Sequence, residues 1–180
     1  FPGLPGPFLL DDRNNLAPLE AIDNGTLSTW NFISGQYEGG LFRPVSVASF
    51  VANWWLWGDN LLAFKAVNLL IHLLCGLAVF FLARALLRIV FTQLDARVID
   101  AGALFACAMW LLAPLHVSTV LYTVQRMAQL STLFTLLGLI CYIQGRQRSS
   151  SPLIVLALAL MWPLAVLSKE NGALLPLLAA

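Results

Sequence analysis

Asp11 and Asp12 stand side by side near the start of the chain, and the other residues able to do chemistry lie far from them: Arg43, His116, Gln125, Arg126, Lys169 and Glu170. Together they supply an acid pair, an imidazole and several cations. A carboxylate is suited to take a proton from a hydroxyl, while Arg and Lys stabilise negative charge developing on a phosphate. Adjacent residues of a helix point about 100° apart, so Asp11 and Asp12 cannot both address one atom from helical geometry. One would act as base and the other would orient, cap or bind metal. A helix N-cap ahead of residues 14–22 accounts for the pair equally well.

Whether these residues meet depends on the elements that carry them. The chain has 180 residues, of which 59% are hydrophobic and 11% charged, with a mean hydropathy of +0.81. A water-soluble fold cannot bury that much apolar surface. Residues 66–83, 101–125, 127–145 and 149–168 carry no charge, and each stretch approaches or exceeds the roughly 20 residues that cross a bilayer as a helix. The expected architecture is all-α: residues 1–60 form a first outer loop with short helices lying on the membrane surface. Residues 61–180 form a transmembrane bundle with spans near 66–88, 100–117, 127–145 and 152–167, and Gly172 begins a fifth. No secretory leader is visible in residues 1–7. The chain reads as a piece of a longer protein.

Basic residues orient the spans, because Lys and Arg concentrate on the cytoplasmic side. The first connection holds Arg84, Arg88 and Arg97, and the third holds Arg146 and Arg148. The second has only Arg126, and the fourth has Lys169 beside Glu170. Residues 1–60 carry a net charge of −4 and the remainder +5. The N-terminal segment, the loop from Pro114 to Arg126 and the loop from Ser168 to Asn171 are thereby expected on one non-cytoplasmic face. If the substrate carries a sugar on a polyprenyl phosphate, that phosphate lies at headgroup depth, where the cations would hold it. The chemistry would be a single-displacement, inverting transfer.

Other features have plainer readings. Arg43-Pro44 opens a helix, and Trp54, Trp55 and Trp57 suit the interfacial belt before a span. Asn68 and His72 share a helix face and read as an interhelical hydrogen-bonding pair. Cys75, Cys107 and Cys141 fall inside apolar spans and read as packing residues. Asn24-Gly25-Thr26 is a glycosylation sequon, but Asn-Gly is first of all a turn. There is no phosphate-binding glycine loop, no zinc-type Cys/His spacing and no basic stripe for nucleic acid.

Several segments resemble the GT-C superfamily of integral-membrane glycosyltransferases, in particular protein O-mannosyltransferases and their bacterial relatives with tetratricopeptide repeats after the membrane domain. They are Phe8-Leu9-Leu10-Asp11-Asp12, Arg43-Pro44 with the run to Gly58, and Val67-Asn68-Leu69-Leu70-Ile71-His72-Leu73-Leu74. Pro114-Leu115-His116-Val117 through Val124-Gln125-Arg126, and Leu167-Ser168-Lys169-Glu170, follow in order. The resemblance implies a multi-pass protein of a bacterial inner membrane with its active site facing the periplasm. Its donor would be a polyprenyl-phosphate-linked sugar, and its acceptor a hydroxyl of a protein Ser/Thr or a glycan. Asp11 maps onto the general base with Asp12 as companion. Arg126 and then Lys169 are the first candidates for the donor phosphate, with Arg43, His116, Gln125 and Glu170 also in the binding set. Ala113 stands where many relatives have His and Ser118 where an acid is common, which puts donor and metal inferences from eukaryotic members in doubt. A divalent cation is compatible with the acid pair but not required by it. This piece is expected to be inactive alone, since a donor cavity would need later spans. Two other classes stay open: a transporter using Asn68, His72 and the proline-interrupted spans, and a non-catalytic assembly subunit.

Overall fold

A computed structural model describes residues 6, 12–37, 40 and 42–179, the side chain of Arg13 excepted. Every regular element among them is helical. Three short helices lead: α1 (Asp12–Asp23), α2 (Thr29–Ile33) and α3 (Pro44–Trp57). Pro44 sits at the first turn of α3, where its missing N–H is not needed, and Gly58, with φ of +59°, ends that helix. Asn24-Gly25 is a turn, with Gly25 in the left-handed region and the Thr26 hydroxyl donating to Ala21 O.

Leu16, Leu19, Phe32, Val47, Phe50 and Val51 of these helices close over Phe64 and Met127, so the N-terminal segment owns a small core shared with the long helices. Trp54 turns back to donate its indole N–H to Asp23 Oδ2 at 2.8 Å, whereas Trp55 and Trp57 remain outward.

The long helices follow. α4 (Leu61–Val90) starts at Asn60, whose side-chain oxygen accepts from Ala63 N, and runs 30 residues. It packs along α5 (Ala96–Leu111) and α7 (Arg126–Gln147). Between these two lie α6 (His116–Leu121) and a 3₁₀ turn at Thr123–Gln125. The chain then forms α8 (Ser151–Val155), a π-helical stretch over Leu156–Met161 and α9 (Trp162–Ser168). Pro163 explains the widened stretch: it offers no N–H to Ala159 and its ring crowds that carbonyl. A 3₁₀ turn (Glu170–Leu174) and α10 (Leu175–Ala179) complete the described chain.

Among the described residues, three helical segments are long and apolar enough to cross a membrane: Leu61–Val90, Thr123–Gln147 and Ser151–Ser168. Their pattern is inverted relative to a soluble protein. On α4, Leu62, Leu70, Leu73 and Leu77 face outward while Lys65, Asn68 and His72 are buried, which suits lipid outside and polar groups inside. The expected span at 100–117 is corrected: α5 stops at Leu111 after 16 residues, about 24 Å at 1.5 Å per residue. Pro114 disfavours helix in the residue before it, so the chain turns through Leu112–Leu115 and restarts as α6. At the opposite end of the bundle, Arg84 holds Asp100 with two hydrogen bonds and joins α4 to α5.

Candidate functional site

Of the predicted site residues, Asp12, Arg43, Gln125, Arg126, Lys169 and Glu170 gather at the end of the bundle where α4 and α7 begin and α9 ends. Asp12 is the first residue of α1 and is 0% exposed. Its Oδ1 accepts from Val124 N at 2.7 Å, tying the N-terminal segment to the 3₁₀ turn that precedes α7. Lys65, also buried, donates to Gly6 O at 2.7 Å and lies near enough to Asp12 for their charges to attract. Asp12 is therefore a buried, engaged carboxylate and not one open to an acceptor. Asp11 lies outside the described residues.

The Ser168–Glu170 turn joins the same end. Arg43 Nε and Nη2 donate to Glu170 Oε1 and Oε2 at 3.0 and 2.9 Å, a bidentate pair. The Glu170 carboxyl is held below its usual range by a hydrogen bond from its own backbone N–H and by the Arg43 guanidinium. Ser46 donates to Ser168 O and Ser131 to Lys169 O, which fixes the turn against α3 and α7. Lys169 itself is half-buried and makes no side-chain hydrogen bond or ion pair among the described residues. Gln125 is half-buried at the end of its turn.

Arg126 departs most from expectation. It is 0% exposed. Nε donates to Asn68 Oδ1 at 2.9 Å, Nη1 to Ser49 O at 3.1 Å, and Nη2 to both Asn53 Oδ1 at 2.8 Å and Phe64 O at 2.9 Å. The rings of Phe50 and Phe64 pack against the guanidinium. Four of its five N–H groups are thus committed to α3 and α4, so the reading of Arg126 as a donor-phosphate contact is replaced by an internal strut. Asn68 completes the strut by donating through Nδ2 to carbonyls of Val120, Tyr122 and Thr123.

His116 is elsewhere. It packs with Trp110, ring centroids 4.5 Å apart, and His72, 5.2 Å, deeper along α4 than Lys65. His72 approaches Leu111 O, so Asn68 and His72 each bond to another element, as expected, but with different partners. Sequence reasoning missed Lys65, Ser46 and Asn53. Lys65 had a usable signal, a cation one turn inside an apolar helix; Ser46 and Asn53 had none. Among the described residues no group of three or more His, Cys, Asp or Glu is placed to hold a metal ion.

No family model, curated protein or solved structure matches the chain. Fold and site together define a class only: a chain whose described residues are all-helical in their regular structure, with three membrane-length apolar helices among them and a polar cluster at one end.

Proposed function

We propose that the chain belongs to a membrane-embedded glycosyltransferase that moves a sugar from a polyprenyl-phosphate donor to an acceptor hydroxyl on the non-cytoplasmic face. The observation that carries this reading is the convergence of Asp12, Arg43, Lys169 and Glu170, from three distant stretches of sequence, at one end of the apolar helices. An amphiphilic substrate would meet polar chemistry there at headgroup depth.

In this reading Asp11 is the general base and Asp12 the positioning residue. Asp12 anchors the acidic motif to Val124 N, leaving its neighbour for the acceptor. Asp11 takes the hydroxyl proton as the acceptor oxygen bonds to the anomeric carbon. The bond from that carbon to the phosphate oxygen breaks, the electron pair leaves with the polyprenyl phosphate, and the configuration inverts. Lys169 is the cation best suited to the leaving phosphate, since Arg43 is already paired with Glu170 and Arg126 is committed internally.

The test is sugar transfer in membranes containing the full-length protein, using a radiolabelled lipid-linked sugar extract. Asp11→Asn is expected to lower transfer by about 100-fold or more, the span of general-base catalysis, with the fold intact. Asp12→Asn is expected to lower transfer less and to loosen the Thr123–Gln125 turn. Parent-like transfer by both variants refutes the assignment. No transfer by the parent from any extract refutes the transferase reading and moves transport or assembly ahead.

A further inference from the structure

α4 and α7 run side by side in the same direction. Arg126 at the start of α7 bonds to Phe64 O and Asn68 near the start of α4, and further along Phe81 and Gln144 border one groove. That groove has a volume of about 430 Å³. Its floor includes Ala78 and Ile140, both buried, and its walls include Leu77 and Phe81 of α4 and Leu137 of α7. From Leu133 to Gln144, the stretch of α7 that lines it, the helix measures about 16 Å at 1.5 Å per residue. This is close to half of the roughly 30 Å hydrocarbon core of a bilayer, so the groove is one leaflet deep. An acyl chain matches that length, whereas a crossing helix would run well past it.

The groove ends in polar chemistry. Gln144 is its last lining residue on α7 and makes no side-chain hydrogen bond among the described residues. Residues four and seven apart share a helix face. Arg88, seven after Phe81, and Arg148, four after Gln144, therefore continue the two walls past the apolar part. Arg148 keeps the helical register, its N–H donating to Gln144 O at 3.0 Å. Both arginines are exposed, and neither makes an ion pair or side-chain hydrogen bond among the described residues, whereas Arg84 is engaged by Asp100. This end carries Arg84, Arg88, Arg97, Arg146 and Arg148 against Asp95 and Asp100, a net of +3.

We propose that the groove between α4 and α7 binds one acyl chain of a diacyl phospholipid with a net negative head. The chain lies along Leu77, Phe81 and Leu137, the Gln144 amide donates to a glycerol ester carbonyl, and Arg88 and Arg148 pair with the phosphate. The planar guanidinium donates two parallel hydrogen bonds to a phosphate, and its methylene stem follows apolar surface out to headgroup depth. A net negative head attracts both cations, whereas the ammonium of a zwitterionic head offsets its own phosphate. Arginines at a helix end also complement the terminal carbonyls, a role indifferent to the lipid, and comparing headgroups separates the two. The site lies at the opposite end of the bundle from Asp12, and the proposal stands without the transferase reading.

The test uses the full-length protein in phosphatidylcholine nanodiscs doped with a trace of phospholipid that carries a diazirine midway along one acyl chain. The label is mapped by mass spectrometry, and phosphatidylglycerol and phosphatidylcholine probes with identical chains are compared. The phosphatidylglycerol probe is expected to label residues 74–81 and 133–144 at least about fivefold more, the scale of one arginine near an anionic headgroup. The protein is unmodified in this comparison, so misfolding cannot mimic the result. In the double variant Arg88→Gln, Arg148→Gln the excess is expected to fall below about twofold, with phosphatidylcholine labelling unchanged, while Arg97→Gln keeps it. Equal labelling of the parent by both probes would mean that the groove touches only bulk lipid. No label there from either probe would mean that another part of the protein covers the groove, and an excess that persists in the double variant would put the phosphate elsewhere. Each of these three results overturns the proposal.

Discussion

Arg126→Lys separates two roles that the sequence could not. If Arg126 held a phosphate, Lys would preserve the positive charge and much of the function. In the structure the guanidinium reaches four oxygens on α3 and α4 in different directions: Asn68 Oδ1, Ser49 O, Asn53 Oδ1 and Phe64 O. An ammonium is a point donor on a flexible stem and cannot reproduce that fork. Each hydrogen bond to a charged group is worth about 1.5–3 kcal/mol, and a Lys keeping half of the four would lose about 3–6 kcal/mol. At about 2–4 °C per kcal/mol for a chain of this size, Tm should fall by about 6–24 °C. The assay is thermal unfolding in detergent micelles, read by tryptophan fluorescence and by loss of monodispersity. Arg126→Met also deletes the buried charge, which recovers desolvation energy but strands all four acceptors, and it should melt below the parent as well. A Lys variant melting within about 2 °C of the parent would show that the network contributes little, and the reasoning that moved Arg126 from substrate to scaffold would fail.

Gly172→Ala should be poorly tolerated, because a Cβ there would collide with backbone atoms of Ala165, its oxygen lying at 2.5 Å; a loss of about 1–3 kcal/mol, read by the same melting assay, is expected, and an unchanged Tm would contradict the packing of the turn after α9. Glu170 gives a pH signature. Its folded pKa is lowered, so its pairing with Arg43 stabilises the fold above the unfolded carboxyl value and is lost as pH falls through the folded one. The difference in Tm between parent and Glu170→Gln should therefore be present at neutral pH and vanish in acid; a difference that persists in acid would point to packing and not charge.

Much of the fold was legible because hydropathy is a sum over many residues. The apolar stretches around α4, α7 and the α8–α9 segment stand out whatever any single side chain does, and the Lys/Arg bias brought the N-terminal segment and the two loops with few cations to one end. What failed was reading by charge alone. Within the uncharged stretch 101–125 the span was expected to run to 117, yet the helix ends at Leu111, ahead of Pro114, and restarts at His116; the proline signal was present in the sequence but outweighed by the lack of charge. Pro163 interrupts its segment differently, widening a helix that continues. The two prolines differ in context, since Pro163 lies within an unbroken helical path while Pro114 precedes a change of direction.

The site was less legible because a cation at the end of an apolar helix has two physical solutions. It can reach toward the headgroups or turn inward to partners, and which one applies depends on acceptors supplied from elsewhere in the chain. Arg126 turns inward because Asn53 and Asn68, 73 and 58 residues away, offer their side-chain oxygens. Lys169 makes no comparable hydrogen bond among the described residues, and only the neighbouring Glu170 charge attracts it. The same logic assigns the acid pair: a buried carboxylate engaged by Val124 N and near Lys65 is costly to move, so Asp12 acts as an anchor. Any proton transfer by this motif then falls to Asp11. Activity that survives Asp12→Asn but not Asp11→Asn would follow from that division, and the reverse pattern would contradict it.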